Sequence, residues 1–99
     1  MTDDQARALG YATHLKPQVL DLRAKRDEIA ARIERSLRKV REAPPWEVAM
    51  VDCYALQEAV LQLLSAERHL LATAREHNHH AEIAGIAPIS IRAAEPSAT

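Results

Sequence analysis

The chain has 99 residues, of which 47% are hydrophobic and 27% are charged, with two glycines and no phenylalanine. A chain this short forms one domain at most, and its many Ala, Leu, Arg and Glu residues favour helices, because these side chains lose little rotamer freedom there. The net charge of −1 argues against bulk attraction to nucleic acid or to an anionic membrane.

Several features of the sequence indicate the cellular compartment of the protein. The single cysteine, Cys53, cannot form an internal disulfide, so nothing indicates an oxidising environment. The first ten residues, MTDDQARALG, have neither a basic nor an apolar region and do not resemble a signal peptide. The apolar region 48–64 is interrupted by four polar residues, which excludes a membrane span. We therefore expect a cytoplasmic protein with no membrane partner.

The N-terminal part of the chain predicts a short helix followed by a long one. Asp3 or Asp4 can cap a first helix that runs to about His14. Pro17 lacks a backbone donor and its ring clashes one turn back, so we expect an interruption there. From Pro17 to Glu42 there is no further Gly or Pro and the apolar residues recur at helical spacing, which predicts helix one over residues 17–42.

The stretch REAPPWE, residues 41–47, predicts a turn between two long helices. A residue before proline is pushed towards extended geometry, so Ala43 is expected to end helix one. Pro44 and Pro45 suit the first turn of a second helix, which we predict over residues 45–76. Trp46 is expected either to cap the closed end of the hairpin or, if exposed, to anchor a partner.

Both long helices carry heptad seams, which predicts that they pack as an antiparallel hairpin. The seams pair when the residue numbers of facing positions sum to 89, which places Cys53 opposite Ser36 as a small core residue. In this register Arg26 and Glu67 fall in adjacent layers and are expected to pair diagonally. Charge supports the pairing: residues 16–41 carry nine Lys/Arg and four Asp/Glu, whereas residues 42–99 carry three and eight.

Helix two has a second apolar stripe that helix one offers little to cover. Gln57 and Arg68 interrupt it. A contiguous exposed patch of this kind normally marks an interaction surface. Residues 3–14 could fold back and cover part of it, but Leu9 and Tyr11 are their only large apolar residues. We therefore predict a dimeric four-helix bundle, with second helices meeting across a two-fold axis, or docking on a larger protein. The predicted partner-binding residues are Met50, Tyr54, Leu61, Leu64, Leu71 and Trp46.

A histidine cluster after residue 76 suggests an alternative, a metal-binding or metal-sensing helical bundle. Imidazoles at short spacing are ligands for Zn²⁺, Ni²⁺ and Cu²⁺. The hairpin register also brings His14 towards the cluster. The competing interpretation is a polar cap at the end of helix two, where histidines interact with the helix dipole. The candidate ligands are His14, His77, His79 and His80.

The sequence also bears on two further functional classes, nucleic-acid binding and catalysis. Basic residues of helix one could follow a phosphate backbone, but Glu28, Glu34 and Glu42 interleave with them and we do not expect nucleic acid as a partner. No glycine-rich phosphate loop, Ser/His/Asp set or CxxC occurs, so we expect a protein that is not an enzyme and carries no cofactor.

The last residues predict a tail outside the helical domain, which we place at residues 1–82. Within residues 83–99 four isoleucines form an apolar segment, and disorder is expected beyond Ala93. The segment Ile89-Ser90-Ile91-Arg92 alternates, so it could add as a strand to a partner's sheet. Equally, Ile83 and Ile86 could fold back on the open end of the helical bundle.

Overall fold

A computed structural model describes residues 1–93 as an all-α protein. The two helices are α1, Asp3–Arg41, and α2, Cys53–Ala84, and no strand occurs in the described range. The helices pack against each other with opposite chain directions, so the predicted helical hairpin is confirmed. The predicted bounds are wrong at three of the four helix ends. The disorder expected beyond Ala93 concerns residues outside those described.

The N-terminus of α1 is a capping box built on Thr2, not on the aspartates that follow it. The Thr2 Oγ1 accepts a hydrogen bond from the Gln5 backbone N–H at 3.1 Å, and the Gln5 Oε1 accepts one from the Thr2 N–H at 2.9 Å. Two backbone donors that the helix leaves free are thereby satisfied. Asp3 and Asp4 instead lie in the first turn, where their negative charge complements the helix dipole.

Pro17 lies inside α1, so the predicted separate helix over residues 3–14 is wrong. The proline removes one backbone hydrogen bond, which costs about 3 kcal/mol in a helix interior. Leu15 and Val19, on either side of it, are buried. Burial of such side chains contributes roughly 1.5–3 kcal/mol each, so packing on both sides of Pro17 offsets the lost bond. The helix therefore continues through it.

The connection between the helices covers residues 42–52 and is longer than the predicted turn. Helix α1 ends at Arg41, close to the predicted position, but Pro44 and Pro45 do not begin α2. They form a β-turn in which the Glu47 N–H donates to the Pro44 carbonyl oxygen at 3.0 Å. Residues 48–51 then alternate between exposed and half-buried, as in an extended chain.

The ends of α2 are set by two capping residues. The Asp52 Oδ1 accepts a hydrogen bond from the Ala55 N–H at 3.1 Å, which makes Asp52 the N-cap. At the other end Gly85 has φ of 73°, a left-handed conformation that favours glycine. The Ile86 N–H donates to the Ala81 carbonyl and the Gly85 N–H to the Glu82 carbonyl, which is a Schellman motif. The helix thus ends eight residues later than predicted.

The described residues divide into two compact units. One unit contains Met1–Val19 and the described residues from Leu71 on. Its core is formed by small and medium side chains from both helices, spaced three or four residues apart. Alanine at these positions lets the helix backbones approach closely. The buried residues are Ala8, Ala12, Leu15 and Val19 from α1 and Thr73, Ala74, His77 and Ala81 from α2.

The other unit comprises Leu20–Leu70. It contains the remainder of α1, the connection and the first half of α2. No residue of this unit is fully buried; the apolar residues between its helices are half-buried, among them Leu22, Ile29 and Ile33 of α1. This unit also carries the most exposed large apolar side chains of the described chain.

Candidate interaction surface

The first half of α2 has an inner face that packs towards α1. Its half-buried residues are Leu56, Ala59, Leu63, Ala66 and Leu70. The predicted seam contained Cys53, Val60 and Glu67, whereas the inner face contains Ala59 and Ala66. In the structure Cys53 is exposed and Val60 is 48% exposed. The predictions of a core Cys53 and of a seam through Val60 are therefore wrong, and α2 is rotated relative to the predicted packing.

Two polar contacts flank this inner face. The predicted pair between Arg26 and Glu67 is confirmed as a salt bridge from the Arg26 Nη1 to the Glu67 Oε1. This hydrogen bond, with a second one to Asp27, raises the pKa of Arg26 above its ordinary value and keeps it charged. Further along, the Arg32 Nη2 donates to the Gln62 Oε1 at 3.1 Å. Both contacts leave the side chains partly in solvent at the edge of the helix interface.

On the opposite side, α2 presents what we call its outer face: Tyr54, Gln57, Leu61, Leu64 and Arg68, all exposed. At 100° per residue, the centre of this set lies about 160° around the helix from the centre of the inner face. Tyr54 is 87% exposed, Leu61 59% and Leu64 45%. These apolar side chains therefore point away from α1, and the described residues leave about half of each leucine and most of Tyr54 exposed.

The other predicted partner-binding residues differ in their surroundings. Leu71 belongs to the unit that contains the chain termini and is half-buried, unlike Leu61 and Leu64. Met50 and Trp46 lie in the connection, where they are 80% and 86% exposed. Trp46 consequently does not cap the end of the hairpin, and of its two predicted roles only that of an exposed anchor is compatible with its position.

A groove of about 450 Å³ lies beside the connection and was not predicted. It exists because eleven residues, not a tight turn, join the helices. Apolar residues such as Ile33, Val40 and Leu56 line it, together with the cations Arg32 and Lys39. Its carboxylate, Asp52, is engaged as the N-cap of α2. The signal that could have revealed it is Asp52 itself, because an aspartate before an apolar run is typical of a helix start.

The four candidate metal ligands lie in the unit with the chain termini and have separate roles. His77 is buried, and its Nδ1 lies 3.0 Å from the Asn78 Oδ1. The ring of His80 packs against Tyr11 at a centroid distance of 4.8 Å, and His79 is exposed. His14 contacts Gln18 on the surface of α1. The described residues contain no group of three or more His, Cys, Asp or Glu side chains arranged to hold a metal ion.

The cluster also does not cap α2, because the helix continues through it to Ala84. Asn78 instead binds the tail: its Nδ2 donates to the Ile89 carbonyl oxygen and its Oδ1 accepts from the Ile89 N–H, both at 2.8 Å. Because the Asn78 oxygen can only accept, the proton in the contact with His77 must lie on the His77 Nδ1. The tail is thus held against α2 at Ile89. Ile83 lies within α2 and Ile86 follows its C-terminal glycine, and both are exposed, so the expected packing of these two isoleucines on the open end of the hairpin is not seen.

No protein-family model, curated protein sequence or solved structure shows significant similarity to this chain. Among the described residues, neither helix combines the length and the apolar character that crossing a bilayer requires. The surfaces and contacts of the chain itself therefore carry the functional interpretation.

Proposed function

We propose that the protein is a non-enzymatic assembly or adaptor protein that binds another protein chain through the outer face of α2. The partner is a second copy, giving a dimer of four helices, or a larger protein. The observation that supports the proposal is the exposure of Tyr54, Leu61 and Leu64 on one side of a capped helix. Isolated exposed apolar residues are ordinary, but Tyr54, Leu61 and Leu64 lie on one face at the spacing of a heptad seam, which indicates a helix-binding surface.

The free energy available from this face is appreciable. Burying a leucine fully contributes roughly 1.5–3 kcal/mol, so covering the exposed half of Leu61 and of Leu64 contributes about 1 kcal/mol each. The almost fully exposed Tyr54 adds a larger apolar area and a hydroxyl suited to a wet interface rim. Burying all three side chains of one chain against a partner contributes about 4 kcal/mol to the free energy of association. In a symmetric dimer both chains contribute, which doubles this value.

The groove gives less support to a catalytic role than the outer face gives to a binding role. Its Ser36 hydroxyl donates to the Arg32 carbonyl oxygen at 3.0 Å, within the same helix. A nucleophile needs a base within hydrogen-bond reach, and Asp52, the carboxylate beside this groove, is engaged in capping. The exposed free thiol of Cys53 favours a reducing compartment such as the cytoplasm.

The test is a pair of matched double substitutions in the full chain. Leu61→Glu with Leu64→Glu places two charges on the outer face of α2. Leu20→Glu with Leu37→Glu places the same charges on α1, at leucines that are 56% and 41% exposed. Circular dichroism should show both variants as helical as the unsubstituted chain, because none of the four leucines is buried.

Association is then measured by light scattering, and partners are captured from a lysate and identified by mass spectrometry. We expect self-association, or the capture of a defined protein, to be lost in the α2 variant and retained in the α1 variant. A monomeric chain that captures no protein in an α2-dependent manner would refute the proposal.

A further inference from the structure

We infer that the outer face of α2 binds the same face of a second copy, with the two α2 helices antiparallel and Leu61 against the partner's Leu64. This inference rests on the proposed function and names the partner of the same surface. A second copy is the partner we infer because the order of side chains along this face is complementary to itself.

The self-complementarity follows from the order of side chains along the face. Tyr54, Gln57, Leu61, Leu64 and Arg68 are spaced by three, four, three and four residues, which is an a/d heptad seam. The pattern reads nearly the same from either end about the midpoint between Leu61 and Leu64. Two antiparallel copies therefore align when the numbers of facing residues sum to 125. Leucine then meets leucine at the centre, and polar residues meet on both sides.

In this register the polar side chains of the seam can form hydrogen bonds with each other. Gln57 lies opposite the partner's Arg68, and the two-fold axis repeats the pair on the other side. A guanidinium donates to the glutamine Oε1, so neither polar group is left without a hydrogen bond at the seam.

Other arrangements of the same two helices bring unfavourable contacts. A parallel pair places each residue against its own copy, so Arg68 would face the partner's Arg68 with like charges in contact. If the antiparallel register shifts by seven residues, so that facing numbers sum to 132, the charged Arg68 lies against the partner's apolar Leu64. If the register shifts by seven residues in the opposite direction, so that facing numbers sum to 118, Arg68 lies opposite position 50. That position precedes the first residue of α2, so Arg68 has no partner on the helix.

The residues beside the seam are compatible with the same register. In an antiparallel pair, positions on one side of the seam face the same side of the partner. Glu58 therefore lies near the partner's Ser65, and Glu67 lies near the partner's Val60. No like charges are brought together, and Glu67 keeps its salt bridge with Arg26. Because the outer face lies opposite the inner one, α2 is placed between α1 and the partner's α2.

Spin labels measure orientation and register in the full chain. The native Cys53 is exposed and carries one label; the second is placed at exposed Ser65 by Ser65→Cys in a Cys53→Ser background. In the inferred register, labels on Cys53 are offset by 19 residues along the helix axis, about 28 Å. Labels on Ser65 are offset by five residues, about 8 Å. In a parallel dimer, both positions give the same short distance.

We expect a concentration-dependent dimer with a long distance between labels at Cys53 and a short one at Ser65. Its dissociation constant should rise at least tenfold in the Leu61→Glu, Leu64→Glu variant and stay unchanged in the Leu20→Glu, Leu37→Glu variant. Equal distances at the two positions, or a monomer at all concentrations, would overturn the inference. Either result leaves the proposed function to be decided by α2-dependent capture of another protein, so the two failures are distinguishable.

Discussion

Asn78 offers the sharpest test of the packing of the tail, because one side chain holds both backbone groups of one residue. Its amide donates to the Ile89 carbonyl and accepts from the Ile89 N–H, each at 2.8 Å. The substitution Asn78→Ala removes both hydrogen bonds and the contact with the His77 Nδ1, and it introduces no new polar group. Alanine also has a higher helix propensity than asparagine, so α2 itself should not be weakened.

The magnitude follows from the two bonds. A hydrogen bond of this kind contributes about 0.5–1.5 kcal/mol net, so the pair stabilises the docked tail by about 1–3 kcal/mol. Since 1.4 kcal/mol corresponds to a factor of ten, opening of the tail at Ile89 should become roughly 5- to 150-fold more frequent. Asn78→Ala also leaves the buried His77 without the acceptor for its Nδ1–H, so the free energy of global unfolding should fall as well, by about 1–3 kcal/mol.

Amide hydrogen exchange measured by NMR reports this opening residue by residue. We expect the Ile89 amide to exchange faster by about that factor in Asn78→Ala. The Ile86 amide is an internal control, because its partner is the Ala81 carbonyl in the helix cap. Ser90→Ala, at an exposed neighbour of Ile89, is the matched variant and should leave both rates unchanged. Equal Ile89 exchange with and without the Asn78 side chain would show that Asn78 does not hold the tail.

Two further predictions concern α1 and its pairing with α2, and urea denaturation checks both. Pro17→Ala restores the missing backbone donor and should raise the free energy of unfolding by about 1–2 kcal/mol. The restored hydrogen bond contributes up to about 3 kcal/mol, but alanine also gives the unfolded chain more conformational freedom, which reduces the gain. An unchanged or lower free energy of unfolding would contradict this. Glu67→Ala breaks the salt bridge with Arg26 and should cost about 1 kcal/mol or less at low salt, whereas Glu58→Ala on the same helix serves as the control. Equal effects of the two glutamate substitutions would count against a stabilising pair.

The existence and type of both long helices could be predicted from the sequence, because apolar residues recur at helical spacing and glycine is nearly absent. The salt bridge between Arg26 and Glu67 was also accessible, since the antiparallel pairing of the two seams places these residues in adjacent layers. The helix ends were harder. Pro17 suggested an interruption, but burial of Leu15 and Val19 on either side outweighs its cost.

The bounds of α2 show how capping residues decide between competing signals. Two prolines beside an acidic residue are a typical helix start, yet Asp52 caps the helix eight residues later. Asn78 and the histidines suggested the end of the helix, yet Gly85 supplies the left-handed residue that a Schellman motif requires. The contact of Asn78 with Ile89 spans eleven residues, and periodicity gives no information about such a bond.

The rotation of α2 has the largest consequence for the proposed function. The sequence allows two overlapping seams, one through Val60 and Glu67 and one through Ala59 and Ala66. A seam with Glu67 at its centre would remove the carboxylate from water, at a cost that its pairing with Arg26 need not repay. The alanine seam instead lets the helix backbones approach and leaves the salt bridge at the edge, half in solvent. The same rotation turns Leu61 away from α1, so a surface expected beside the seam lies on the opposite side of the helix, where it is exposed among the described residues.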